Sequence, residues 1–186
     1  MASLAILVVL DYSGTLSPGA VRFARPETLT AALRDSGLAD LGVGDPGVLW
    51  SRVVDPTWED GGTGRASYAE CLGRGVLAVN PQADPGAVRA AAARFARAYY
   101  DAGSIDDVWR PLLSRLAREP RARTLIATDN YREATPALLA ELARLGVASR
   151  RVGDEVSAAS AVTVAGSADL GVLKSTPGFW DRVRDD

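Results

Sequence analysis

An uninterrupted apolar segment near the start of the chain, residues 4–10, constrains the fold more than any other feature, and it ends directly in Asp11. Strands with one face in water alternate apolar and polar residues, whereas a continuous apolar run is typical of a parallel strand covered on both faces by helices. The segment is too short to span a bilayer, and no Lys or Arg precedes it. The sequence therefore predicts a buried strand here.

The rest of the chain predicts an alternation of helices and strands. Further strands are expected at residues 123–128 and 161–165, and residues 44–47 and 60–64 are expected to be loops. Helices are expected from Pro26 to a stop at Gly37, after Pro85, over residues 108–116 with Pro111 in the first turn, and from an N-cap at Thr135 to Gly146. This order indicates a parallel α/β sheet, with a helical segment at residues 18–104 inserted after the first strand.

The composition excludes most of the familiar catalytic machinery. The 186 residues include no His, and Lys174 is the single lysine. A Ser-His-Asp triad, a Cys-His pair and a His-ligated metal are therefore excluded. Cys71 is the only cysteine, which predicts a structural thiol in a reducing cytoplasmic compartment.

Charge gives no sign of a polyanionic partner. The formal net charge is -2, and the arginines are scattered along the chain rather than clustered. Nucleic acids and anionic membranes attract clustered basic residues, so neither is expected as a partner. A small molecule is the expected ligand.

Polar residues follow the predicted strands, where the ligand site of an open parallel sheet lies. They occupy residues 11–15 after the first strand and 128–130 after the second, and Lys174 follows the third. A carboxylate such as Asp11 can attack phosphorus and form an aspartyl-phosphate. The Thr128 hydroxyl can hydrogen-bond a phosphoryl oxygen, and the Lys174 ammonium can neutralise charge on Asp11 and on the transferred group. These parts suit phosphoryl transfer.

Three motifs in order resemble those of the haloacid dehalogenase (HAD) superfamily of hydrolases. Asp11-Tyr-Ser-Gly-Thr15 resembles the first motif, an apolar strand followed by D-x-D-x-T, and Leu125-Ile-Ala-Thr128-Asp129-Asn130 resembles the second. The segment 171–180 around Lys174 resembles the third, a lysine in a G-x-x-K-P-x-P-x-F-like context. The resemblance implies a Rossmann-like α/β core at residues 1–17 and 105–186 and a helical cap at residues 18–104.

The resemblance also implies roles for individual residues. Asp11, Ser13 and Lys174 are the expected catalytic residues, with Asp11 as the nucleophile. Gly14, Thr15, Thr128, Asp129 and Asn130 are expected to bind the phosphoryl group. Mg²⁺ is the implied cofactor, with the Asp11 carboxylate and the Ser13 backbone carbonyl as its ligands.

The chain departs from the family pattern at two places. Ser13 replaces the second Asp of the first motif, which is the general acid and base of the family's phosphatases. The absence of that Asp is expected to lower the rate roughly 100-fold to 10,000-fold. The 12 residues after Lys174 contain no apolar strand to carry the family's fourth, acidic motif, which predicts a weak Mg²⁺ site. Residues 153–155 resemble that motif superficially, but they precede Lys174 and no convincing strand precedes them. An unpaired sheet edge, and with it dimerisation, is expected where the missing strand would lie.

These features leave three hypotheses. The first is a HAD-like phosphatase acting on a small phosphorylated metabolite through an aspartyl-phosphate at Asp11. The second is a catalytically impaired HAD-derived protein that binds a ligand or partner. The third is a metal-independent, dehalogenase-like hydrolase in which Asp11 forms an ester with carbon. Four side chains of the helical segment are candidates to line a substrate entrance or simply to pack: Trp50, Trp58, Arg65 and Tyr68.

Overall fold

A parallel four-stranded sheet forms the centre of the computed structural model, which describes residues 6–155 and 161–186. The strands are β1 (Ile6–Leu10), β2 (Ala122–Thr128), β3 (Ser149–Arg151) and β4 (Val162–Gly166), in the spatial order β1-β2-β4-β3. All three pairings are parallel. The predicted α/β class is confirmed, and the arrangement is consistent with a Rossmann-like fold.

The three predicted strands exist, and the structure adds a fourth. The predicted start of the first strand, Leu4 and Ala5, lies outside the described residues. Strand β3 was not predicted because Ser149-Arg-Arg151 carries no apolar pattern. The expectation that no strand precedes residues 153–155 is therefore wrong. Because β3 and β1 lie at opposite edges of the described sheet, those acidic residues are nevertheless remote from Asp11.

Helices cover the two faces of the sheet in pairs. α7 (Arg110–Leu116) and α8 (Ala134–Arg144) pack on the face that carries Ile126, Val162 and Val164. α9 (Ser167–Leu170) and α10 (Pro177–Arg184) pack on the opposite face, against Leu125, Ala127 and Ala165. Neighbouring residues of one strand thus enter different cores, so β2 buries Leu125, Ile126 and Ala127 in succession and β4 buries Val164 and Ala165.

Two local expectations for these helices are corrected. Thr135 is not the N-cap of α8. The Ala134 N–H donates to the Tyr131 carbonyl at 2.9 Å, and the turn that this hydrogen bond closes starts the helix before Thr135. Pro111 does lie in the first turn of α7, but the helix begins at Arg110 rather than at residue 108, where Val108 is exposed in a 3₁₀ turn. The residue that α7 buries is Leu113, and Leu112 is exposed.

Strand β1 is the clearest correction. It was expected to be buried on both faces, yet Ile6 is 60% exposed, Leu7 57% and Val9 44%. The reason is its position: β1 is an edge strand that pairs only with β2 among the described residues. Among the described residues, β1 therefore has no strand partner on its outer side.

Residues 18–104 are helical and enclose a hydrophobic core of their own, which buries Leu33, Val53, Leu72 and Phe95 and takes in Tyr131 from the loop after β2. Single 3₁₀ turns cover Ala39–Leu41, Asp55–Thr57 and, beyond the segment, Asp107–Trp109, and a π-helical turn covers Leu49–Val54. The α-helices of the segment are α1 (Pro18–Phe23), α2 (Pro26–Ser36), α3 (Pro46–Val48), α4 (Trp58–Gly62), α5 (Tyr68–Val79) and α6 (Pro85–Ala102).

Glycine gave both correct and incorrect expectations in this segment. Gly37 ends α2 in a left-handed conformation, as predicted. The two predicted loops are partly helical, because α3 begins at Pro46 and α4 extends to Gly62. A Cβ atom on Gly61 would lie 2.2 Å from the ring of Tyr131, so this glycine serves close packing rather than a loop.

The described residues contain none of the long apolar helices that a bilayer crossing requires.

Candidate active site at the carboxyl ends of the strands

Asp11 and Lys174 meet at the carboxyl edge of the sheet. The Lys174 ammonium donates a hydrogen bond of 2.7 Å to the Asp11 carboxylate, although 163 positions separate the two residues. The same ammonium also lies 3.3 Å from the Ala127 carbonyl. The Asp11 side chain is 46% exposed and that of Lys174 26%, so a ligand can reach the pair.

Two contacts fix the backbone on either side of the Lys174 side chain. The Lys174 N–H donates to the Asp129 carboxylate at 2.8 Å, and the Trp180 indole N–H donates to the Lys174 carbonyl at 2.8 Å. The lysine is thereby held between the loop after β2 and helix α10. Asp129 is thus a positioning residue for the lysine, a role that the sequence did not predict.

The loop after β1 turns sharply at Gly14, whose φ of +85° favours glycine. Hydrogen bonds from the Thr15 and Ser17 N–H groups to the Tyr12 carbonyl, at 3.3 and 3.0 Å, close this turn. Thr15 is exposed, and its carbonyl accepts from the Trp109 indole. Neither the hydroxyl nor the N–H of Ser13 makes a hydrogen bond within the described part of the chain. Ser13 thus has both an N–H and a hydroxyl to offer a ligand.

Thr128 ends β2 beside this loop. Leu10 of β1 pairs with Ile126 of β2. Asp11 therefore lies level with Ala127, and Thr128 lies one residue further along the sheet. Thr128 is largely buried, and its hydroxyl makes no hydrogen bond to another described residue. Its placement is compatible with the expected role of donor to a phosphoryl oxygen.

Asn130 has its amide oxygen engaged by the protein. Its side-chain oxygen accepts from the Tyr100 hydroxyl at 3.2 Å and from the Tyr131 N–H at 2.9 Å, while its own N–H donates to the Ser167 hydroxyl at 3.2 Å. Asn130 therefore joins α6, β2 and the start of α9. Ser167 was missed, although a polar residue directly after the strand now seen as β4 is the signal that strand-end reasoning uses.

A cavity of about 320 Å³ adjoins these residues. Ser13, Asp129 and Asn130 contribute to its wall from the α/β part of the chain. The remaining wall is supplied mostly by aromatic side chains: Trp50, Val54, Asp55, Trp58, Tyr68, Tyr99 and Tyr131. Its size falls at the lower end of the range for small-molecule sites.

Three of the four candidate entrance residues line this cavity, namely Trp50, Trp58 and Tyr68. Arg65 does not; it forms exposed ion pairs with Glu59 and Asp60. The contributions of Tyr99 and Tyr131 were not predicted, because the helical spacing of Tyr99 with Phe95 indicates only core packing and no pattern singles out Tyr131.

Two phenols of the wall, those of Tyr68 and Tyr131, are held uncharged. Burial raises the pKa of Tyr68 well above its usual value, and the neighbouring Tyr131 adds to the effect. Burial also raises the pKa of Tyr131, with smaller contributions from Cys71 and other neighbours. In the loop after β1, burial raises the pKa of Tyr12 to about 12. Ionised tyrosine is therefore excluded as a base near neutral pH.

The residues around Asp11 do not by themselves complete a magnesium site. Within residues 6–155 and 161–186, no three Asp, Glu, Cys or His side chains come together as metal ligands. Of the two expected ligands, Asp11 pairs with Lys174 and Ser13 offers only neutral oxygens. The Asp154 carboxylate accepts from the Arg151 N–H on the far edge strand. Since Mg²⁺ takes an octahedral shell of oxygens, substrate phosphate and water would have to supply most of it.

Comparisons with models of protein families, with curated proteins and with solved structures returned no match. The functional inference therefore depends on the motif pattern and on the geometry of this site.

Proposed function

We propose that this protein is a HAD-type hydrolase that cleaves a phosphate ester of a small metabolite, with Asp11 as the nucleophile. The observation that carries the proposal is the 2.7 Å contact between Asp11 and the only lysine of the chain. An arginine-rich protein that keeps one ammonium, and folds so that it touches a strand-end carboxylate, has the parts that phosphoryl transfer needs. Residues 18–104 would form the cap over this site, and residues 1–17 and 105–186 the HAD-like core.

The first step forms a bond between a carboxylate oxygen of Asp11 and phosphorus, and breaks the bond between phosphorus and the leaving oxygen. The Lys174 ammonium, the Thr128 hydroxyl and the Ser13 N–H would stabilise the negative charge on the phosphoryl oxygens. In the second step, water attacks the phosphorus of the aspartyl-phosphate, which releases phosphate and returns Asp11 as a carboxylate. No step is assigned to Mg²⁺, because the residues present do not complete its site.

Proton transfer is the weak part of this mechanism. The leaving oxygen needs a proton, and the Ser13 hydroxyl is far too weak an acid to supply it. Water must then provide the proton, so substrates with acidic leaving groups should react fastest. The protein would accordingly hydrolyse p-nitrophenyl phosphate much faster than an alkyl phosphate.

Hydrolysis of p-nitrophenyl phosphate, with and without added Mg²⁺, tests the proposal. We expect Asp11→Asn to abolish turnover, and the matched variant Asp35→Asn, which changes an exposed carboxylate of α2, to leave it unchanged. Equal inactivity of the wild-type protein and Asp11→Asn over a panel of divalent metals would overturn the phosphatase proposal.

Two other functions are supported by Ser13, because it stands where a phosphatase has the general acid that turnover of phosphate esters requires. A protein that binds a phosphate ester without hydrolysing it would be a HAD-derived binding protein. Chloride release from a haloacid, lost in Asp11→Asn, would instead indicate dehalogenase-like displacement at carbon. Cys71 is buried and free of disulfide bonds, so we expect function in the reducing cytoplasm.

A further inference from the structure

The cavity beside Asp11 has an aromatic and acidic wall. Five of its lining residues are aromatic, and the two ionisable groups among the others are the carboxylates of Asp55 and Asp129. No lysine or arginine of the described residues lines it. This wall differs from the neighbouring phosphoryl site, where Lys174 provides positive charge.

The aromatic rings of this wall hold one another in place. Tyr68 and Tyr131 are stacked with centroids 4.2 Å apart, and Trp58 meets Tyr131 edge-on at 5.4 Å. Tyr99 also meets Tyr68 edge-on, at 5.4 Å. Burial keeps the Tyr68 and Tyr131 phenols neutral by raising their pKa values. The wall is therefore a fixed set of π faces without positive charge.

The π-helical turn brings Trp50 and Asp55 to the same cavity. The Asp55 N–H bonds to the Trp50 carbonyl across this turn, an i to i+5 contact that an α-helix lacks. The Asp55 carboxylate forms no ion pair within the described residues and lies near enough to Tyr131 to raise further the pKa of that phenol. Its charge is consequently available to a ligand.

The Tyr131 hydroxyl is buried without a hydrogen-bond partner among the described residues. The oxygen itself is closed off from solvent, so Tyr131 contributes its ring rather than its hydroxyl to the cavity wall.

Electronegative π faces beside an unpaired carboxylate attract a positive charge and repel an anion. A small ammonium with apolar substituents satisfies both the rings and the carboxylate. We propose that this cavity binds an alkylated ammonium group. This inference rests on the proposed function for the phosphoryl site, and together the two sites define the substrate class as phosphate esters of amino alcohols. Its phosphate lies at Asp11 and Lys174, and its cation lies among Trp50, Trp58 and Asp55.

Binding of choline, measured by titration calorimetry and tryptophan fluorescence, tests the cation site without any need for turnover. The neutral isostere 3,3-dimethylbutan-1-ol has the same shape without the charge, and we expect it to bind at least tenfold more weakly than choline. Trp50→Leu and Asp55→Asn should each weaken choline binding at least tenfold. Asp35→Asn, the same change on an exposed helix, should leave it unchanged. Trp50 is 40% exposed, so its replacement should not unfold the protein.

Equal affinity for choline and its neutral isostere would overturn the inference and indicate an apolar pocket instead. Activity is a separate comparison: phosphocholine should be hydrolysed faster than 3,3-dimethylbutyl phosphate, and Asp11→Asn should keep choline binding while losing hydrolysis. Choline binding without hydrolysis of any ester would refute the proposed function and leave the cation site standing. Hydrolysis with no preference between the two esters would refute the cation site alone.

Discussion

Ser13 occupies the position that would limit the turnover rate of a phosphatase at the candidate site. It follows Asp11 by two residues, lines the cavity and keeps its N–H and hydroxyl unbonded within the described chain. Because Ser13 cannot protonate a leaving group, proton transfer would be the slow step at this site.

Ser13→Asp should therefore restore the missing acid. We expect hydrolysis of an alkyl phosphate to rise by roughly 100-fold to 10,000-fold, the usual contribution of general acid catalysis, and hydrolysis of p-nitrophenyl phosphate to change little. Steady-state rates with the two substrates check this, and Ser13→Asn controls for side-chain size without an acid. An equal rise with both substrates would argue against a proton-transfer defect.

At the residue scale, the sequence identified Asp11 and Lys174 as candidates but not what holds them together. They stood out because each is chemically exceptional in its context, one ending an apolar run and the other being the only lysine. The contacts of Asp129 and Trp180 with the Lys174 backbone, and of Asn130 with Tyr100 and Ser167, depend on three-dimensional proximity. No local pattern encodes such pairings, so these roles could not have been predicted.

Among the elements, helices and strands with strong local patterns were predicted to within one or two residues. α2 lies between a first-turn proline and a left-handed Gly37, and β2 and β4 contain the short apolar stretches Leu125-Ile-Ala127 and Val164-Ala165. The predictions of loops failed where a glycine lies within a helix to allow close packing against another segment. Gly61 of α4 lies against the Tyr131 ring, and Gly75 of α5 lies against the backbone of the π-helical turn.

Gly75 offers a direct test of how α5 packs on that turn. A Cβ atom there would lie 2.7 Å from the Val53 Cα and 2.9 Å from its carbonyl oxygen, so Gly75→Ala should lower the free energy of unfolding by about 1–3 kcal/mol. On the same helix, a Cβ atom on Gly73 would meet nothing closer than 3.9 Å. Gly73→Ala should raise the free energy of unfolding by about 0.5–1 kcal/mol. Urea unfolding of the two variants checks the pair, and equal effects would contradict this packing.

Asp186 joins the end of α10 to the edge strand β3. Its carboxylate forms a forked ion pair with Arg150 and accepts from the Gly153 N–H, and both side chains of the pair are largely buried. The Arg150 hydrogen bond, which outweighs the effect of burial, lowers the pKa of Asp186 from its ordinary value of 3.8.

Replacing Asp186 should therefore have an effect that depends on pH. A depressed pKa means that the stabilisation is fully present above the unfolded-state pKa, near 3.8, and is lost as pH falls through the lower folded-state value. At pH 7, Asp186→Asn should lower the free energy of unfolding by about 1–3 kcal/mol. Unfolding measured from pH 7 down to pH 3 should show the two proteins converging below about pH 4. Asp181→Asn, an exposed carboxylate on the same helix, is the control, and a constant difference over this range would contradict the ion-pair role.

At the scale of the whole molecule, the outer edge of β1 pairs with no other strand of the described residues. β1 presents unpaired backbone groups together with exposed Ile6, Leu7 and Val9, and it contains no charged residue that would oppose pairing with another strand. A second copy is complementary to this edge, because antiparallel pairing of β1 with its symmetry mate repeats the same apolar contacts on both sides.

We expect a homodimer through β1. Light scattering should give a mass that doubles with rising concentration, and Val9→Lys should hold the protein monomeric by placing like charges opposite each other at the new interface. Val108→Lys, at a 74% exposed position outside the strand, should leave the dimer intact. A wild-type monomer at every concentration would contradict the expectation.

The aromatic wall was largely beyond sequence-based prediction. Its rings come from the π-helical turn, α4, α5, α6 and the loop after β2. Trp50, Trp58 and Tyr68 attracted attention as aromatic residues near glycine-rich segments, but nothing in their spacing showed that they share a cavity with Ser13. That convergence arises only when the separate helical core closes around Tyr131.

The two ends of the helical segment lie side by side. The Leu16 carbonyl accepts from the Asp106 N–H at 3.0 Å, and the Tyr12 hydroxyl donates to the Gly103 carbonyl. Such adjacency is what allows a whole module to be gained or removed between neighbouring points of a chain. Here a short linker from residue 17 to residue 105 would excise all but one of the cavity's aromatic side chains and keep Asp11 and Lys174. On the proposed function, selectivity and bond cleavage would occupy separable stretches of the chain, and evolution could exchange one while retaining the other.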